Sequence, residues 1–185
     1  AAARRGEDVG FVRVAAACGP SAASQAPAYR YAVREGAVAW RLMGVCELTG
    51  APYRAIVLDR GLVDRFSGEM APRAAAFPPP GAVIGVLRAA GSRWPVDAPP
   101  HRAADGALVV QSVDPAALKM IAGPAAAPYY LAVESETPAP PGVTPAALPQ
   151  DIPNNHLVYA LTWFGLALVL AWTFAAYLWR RAREA

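Results

Sequence analysis

His156 is one of two histidines in this 185-residue chain, and it stands at the head of a long run without charges. A neutral imidazole is a good metal ligand. At helical spacing His156, Tyr159, Ala160 and Trp163 share one face, which continues through Ala167, Ala171 and Ala175. Aromatic planes therefore lie beside the imidazole. The small residues further along let another helix or an apolar tail approach closely. The positive end of a helix dipole disfavours imidazolium, which keeps a lone pair available. The plain alternative is an interfacial anchor behind an Asn154 or Asn155 N-cap. An alanine stripe is also ordinary helix packing.

Other residues with chemical potential are scattered. Arg60 precedes a glycine in "AIVLDRGLV". Such an arginine either makes a charge-assisted bond to an anionic group of a ligand or closes a turn with a structural ion pair. Cys18 and Cys46 are the only cysteines. Sequence does not place their Cα atoms within bridging distance, so a disulfide between them stays open. With His101 they form no recognisable zinc or copper spacing. No Ser–His–Asp arrangement and no Gly-rich phosphate loop stands out, so the chain reads as a non-enzyme.

The histidine needs a helix to position it. From Leu157 to Trp179 there are 23 residues without a charge. At helical rise they extend roughly 34 Å, enough to cross a bilayer core. Trp163 near one end and Trp172, Tyr177 and Trp179 towards the other resemble interfacial aromatic belts. Arg180, Arg181 and Arg183 follow, whereas the nearest basic residue upstream is Lys119. The C-terminus is thus expected in the cytoplasm and residues 1–156 outside it. Residues 1–156 hold 14 of the 17 basic and 13 of the 14 acidic residues, so this part is near neutral. With no basic patch interleaved with aromatics, nucleic acid is not an expected partner. Arginine supplies 16 of the 17 basic residues, and this bias, with abundant Ala, Gly and Pro, points to a GC-rich bacterial genome.

Upstream, short Val-, Tyr- and Trp-bearing runs alternate with turn residues. Strands are expected at Gly10–Cys18, Ala28–Val33, Ala37–Leu48, Tyr53–Val63, Ala82–Ala89, Gly106–Val113 and Pro128–Ser135. "REG" should form a hairpin turn between the second and third. One helix is expected at "DPAALKMIA", with Asp114 as cap and Pro115 at the first position. The fold class is α+β: a mainly antiparallel sheet or open barrel outside the membrane, followed by a C-terminal transmembrane helix. The expected organisation is a periplasmic β-rich domain at 1–136, a Pro-rich linker at 137–153, a transmembrane helix at 154–179 and a basic cytoplasmic tail at 180–185. The linker holds six prolines in 17 residues, which suits a semi-rigid spacer. The proline run Pro78–Pro80 ends a second loop.

Four stretches together resemble the Surfeit locus protein one family (Surf-one or Shy-one) of cytochrome c oxidase assembly. The opening of the second membrane helix in that family is similar to Asn155, His156, Leu157, Tyr159, Ala160, Thr162, Trp163 and Phe164 here. "FVRVAAAC" resembles its first strand. "AIVLDRGLV" is similar through Leu58, Arg60, Gly61 and Val63, and "PGAVIGVLR" through Gly85, Leu87 and Arg88. Leu62 stands where the family has tryptophan, and Asp64 where it has proline. The family also has an N-terminal membrane helix, so an upstream membrane helix or a cleaved signal is expected to precede residue 1.

The resemblance implies a membrane-anchored assembly factor in a bacterial inner membrane. Its expected partners are membrane lipid and the core subunits of cytochrome c oxidase. It would hold or deliver haem a, with His156 as iron ligand, Tyr159 and Trp163 beside the ring system and Arg60 on a propionate. Two other readings are a non-catalytic subunit kept in the mature oxidase or a respiratory supercomplex without haem, and an envelope-anchored domain that binds a small ligand.

Overall fold

The computed structural model describes residues 11–19, 27–49, 52–69, 71–145 and 155–184. They fall into two units, residues 1–148 and 149–185. In the first, nine strands form one mixed, open sheet. They are β1 Arg13–Ala17, β2 Ala28–Arg34, β3 Ala37–Glu47, β4 Ala55–Val63, β5 Ala82–Ala89, β6 His101–Arg102, β7 Leu108–Val110, β8 Ala126–Thr137 and β9 Val143–Thr144. Their order is β1-β5-β8-β4-β3-β2-β7-β6, with β9 also paired to β4. Most pairings are antiparallel; β2 with β7 and β4 with β8 are parallel.

The expected strands all appear, most of them shortened at an end. Gly10, the first residue of the earliest one, lies outside the described residues. The expected hairpin forms between β2 and β3. Its two turn residues, Glu35 and Gly36, have φ of 53° and 80°, the backbone of a turn whose twist matches its strands. Two short strands went unforeseen: β6, and β9 within the segment read as spacer.

Helix α1 spans Pro115–Ala122, and the Asp114 side chain caps it by accepting the Ala117 N–H at 2.7 Å. Its buried side, Ala117, Leu118 and Ile121, packs with Met43, Val57, Val110 and Tyr130. Burying a leucine such as Leu118 contributes about 1.5–3 kcal/mol. A second cluster gathers Tyr29, Trp40, Leu42, Val63 and Phe66. A third joins Cys46, Ile56 and Leu58 to Val83, Leu131 and Val133.

Cys18 and Cys46 form a disulfide, with Cα atoms 4.8 Å apart. Beside it the Gly19 N–H donates to the Glu47 carbonyl at 2.9 Å. The sheet therefore curls until the end of β1 meets the end of β3.

In the second unit, α2 runs His156–Glu184, 29 residues. It is long and apolar enough to cross a membrane. A membrane interior gives polar groups no water to bond. The helix meets that demand internally: the Thr162 hydroxyl donates to the Val158 carbonyl at 2.8 Å, and that of Thr173 to the Leu170 carbonyl at 2.9 Å. At the far end the Arg183 guanidinium lies 4.1 Å from the centre of the Trp179 ring, a cation on an aromatic where the charge-free run ends.

Candidate functional site

His156 is the first residue of α2, and Asn155 stands at the cap position, its carbonyl accepting the Tyr159 N–H at 3.0 Å. Asn154 lies outside the described residues. One and two turns on, Tyr159 and Trp163 continue the same face. His156, Tyr159 and Trp163 are all exposed on the helix surface. The structure thus brings three of the four sequence-derived site residues together. An imidazole is thus followed by two aromatic rings on a face that then narrows to alanine at 167, 171 and 175.

Arg60 belongs to the other unit. In the β3–β4 ladder Met43 pairs with Asp59 and Leu42 with Gly61. Arg60 is the extra residue of a bulge, a device that re-aims a side chain. Its Nε donates to both carboxylate oxygens of Glu136, at 3.1 and 3.0 Å. The two side chains are 4% and 2% exposed. Burial pushes the Glu136 carboxyl above its ordinary range, outweighing the Arg60 bond that pulls it down. Arg60 Nη2 is buried and has no hydrogen-bond partner among the described residues. Arg60 also lines a cavity of about 1080 Å³, together with Leu42, Gly44, Phe77 and Pro78.

The neighbouring residue points to a different cluster. Asp59, 2% exposed, receives Arg41 Nε at 2.8 Å and has Arg30 Nη1 at 3.6 Å. Sequence reasoning missed both Glu136 and this trio. The signal was the pair Asp59-Arg60 inside an otherwise apolar strand, because buried charges must be paired.

The two glycines of the family-like motifs sit where neighbouring backbone leaves no room. A Cβ on Gly61, whose φ is 124°, would lie 2.2 Å from the Thr144 carbonyl oxygen. A Cβ on Gly85 would lie 2.2 Å from that of Ala132. Asp64, at the position of the expected proline, uses what proline lacks: its N–H donates to the Gly142 carbonyl at 3.0 Å. Its carboxylate accepts the Thr144 hydroxyl at 3.1 Å.

Compared with known families, residues 11–168 match the model of the SURF1 family, from β1 into the middle of α2. The chain belongs to the SURF1 family. Membership carries a role in cytochrome oxidase assembly. The C-terminal helix is consistent with a membrane-anchored SURF1 protein. No curated protein and no solved structure matches the chain. The SURF1 match takes in all four stretches on which the resemblance rested, including His156, Tyr159 and Trp163.

Proposed function

We propose that this SURF1 protein holds haem a at the start of α2 while the core subunit of cytochrome oxidase is assembled, and does no bond-making chemistry itself. The observation that carries the reading is the shared face of His156, Tyr159 and Trp163 on a charge-free helix. Haem would supply the iron and the apolar macrocycle. His156 would bind the iron through a ring nitrogen. Tyr159 and Trp163 would orient the ring by packing.

The Arg cluster at 180–183 supports an arrangement with the C-terminus in the cytoplasm and the sheet in the periplasm. The disulfide supports it too, since such bonds persist in oxidising compartments. A reporter active only in the cytoplasm, fused after Ala185, should work and tests this orientation. Haem binding is tested by pyridine-haem analysis of the purified protein, with identification of co-purifying subunits. Haem a and transient oxidase contact are expected. Stoichiometric retention in mature oxidase with no haem spectrum would instead establish a structural subunit, a reading that the alanine stripe at 167, 171 and 175 favours.

A further inference from the structure

Burying an arginine is costly unless its donors are paired. Arg60 satisfies Nε on Glu136 and leaves Nη2 buried without a partner among the described residues. The side chain is 4% exposed and lines the cavity of about 1080 Å³. That volume is at the size of sites that enclose small molecules. Its described lining is apolar apart from three basic residues, Arg60, Arg102 and Lys119; none of it is acidic. Phe77 and the prolines after it form one wall. Gly44 stands where any side chain would strike Arg60, since a Cβ there would lie 2.8 Å from Arg60 Cδ. An apolar cavity lined by a buried guanidinium with an unmet donor and by two further basic residues is suited to one kind of guest: an apolar body that carries a carboxylate.

The geometry points to a second binding site in the β domain, for an amphipathic carboxylate of the fatty-acid type. Its head group pairs with the Arg60 guanidinium where that side chain lines the cavity, its chain lies along the Phe77–Pro80 wall, and Arg102 and Lys119 add positive potential. Glu136 holds the guanidinium by Nε, so the plane of the cation is fixed before a guest arrives. The site lies in a different unit from His156 and does not depend on the haem reading.

The test uses the full chain in lipid nanodiscs, with empty nanodiscs as background. The fluorescent fatty acid cis-parinaric acid should bind saturably and be displaced by oleate but not by oleyl alcohol. A tetrapyrrole propionate presents the same chemistry. Metal-free protoporphyrin IX and its dimethyl ester, used as competitors, show which carboxylate source fits: competition by the free acid stronger than by oleate assigns the site to a tetrapyrrole. Replacing both members of the buried pair, Arg60→Gln with Glu136→Gln, should weaken binding about tenfold or more. Arg102→Gln and Lys119→Gln, both at exposed positions, should each weaken it about two- to fivefold without harming the fold. His156→Ala should leave it unchanged. The proposal is overturned by absence of saturable binding, by equal displacement with the alcohol, by loss on His156→Ala, or by binding that survives in the double variant. Should that double variant unfold, unchanged binding in both Arg102→Gln and Lys119→Gln overturns it.

Discussion

Cys18 is bonded to Cys46 although three strands, β5, β8 and β4, separate their strands in the sheet. The bond and the Gly19–Glu47 bridge hold the curl that a continuous ladder would hold in a closed barrel. It closes a loop over a sequence separation of 28. Loop entropy alone assigns that roughly 3–4 kcal/mol. Urea unfolding with and without a reductant, and of a Cys18→Ser, Cys46→Ser variant, should show a loss of this order. An unchanged midpoint would mean that the three interposed strands hold the curl unaided.

Gly61→Ala should destabilise the β domain by at least roughly 1–3 kcal/mol, because φ is 124° and the Thr144 carbonyl occupies the space of a Cβ. The damage should centre on β9, so faster hydrogen exchange at Leu62 and Thr144 is the diagnostic. Gly68→Ala serves as a comparison: its φ is also positive, at 80°, but nothing lies within 4 Å.

For the helix face, His156→Ala should abolish the haem band of the purified protein while far-UV circular dichroism and membrane insertion stay the same. Trp163→Ala should lose less, since it removes packing but no metal bond. Tyr159→Phe, which keeps the ring, should lose least. Asn155→Ala should cost about 1 kcal/mol of helix stability through the cap, with little spectral change. A full haem spectrum in His156→Ala would remove the ligand role.

Ala171→Leu or Ala175→Leu should weaken association of α2 with a neighbouring helix, because added volume separates close backbones. Val169→Leu, off the stripe, should be mild. Cross-linking yield to the oxidase core subunit in membranes reads the difference; equal effects on both faces would reduce α2 to an anchor.

The pH dependence of stability should carry the signature of Glu136. Its carboxyl is raised by burial above the ordinary value of 4.5. A raised carboxyl binds its proton more tightly in the folded state. Its contribution is therefore complete below the ordinary value and is lost as pH rises through the folded value. Asp105 acts in the opposite sense. Its carboxyl is held low by the N–H groups of Ala74 and Ala107, so its stabilisation is lost as pH falls. Subtracting the profile of Glu136→Gln from that of the wild type isolates Glu136. The difference should decline as pH rises from 4.5, and a flat difference would contradict the burial argument.

The parts of this fold that announce themselves do so through local chemistry. Asp114-Pro115 marks α1 because cap and first-turn proline are adjacent in sequence. Arg34-Glu35-Gly36 marks its hairpin for the same reason. The uncharged run marks α2. What stayed hidden is non-local. The parallel pairings of β2 with β7 and β4 with β8 leave no mark in either strand. β6 and β9, two residues each, are too short for any alternation to register. The helix part of the candidate site is legible as a shared face because its residues lie about one turn apart. Glu136 was not, because it is 76 positions from Arg60 and only the curl of the sheet brings them together.

One small element also has a mechanical meaning. The chain must pass through β9 on its way to α2, and among the described residues β9 is held to β4 at Leu62–Thr144 and Val63–Val143, with Asp64 fastening both sides. A pull on β9 would therefore act on a two-residue latch resting on Gly61, next to the buried Arg60. Releasing that latch would free the Thr144 carbonyl from Gly61, beside the bulge that aims the arginine.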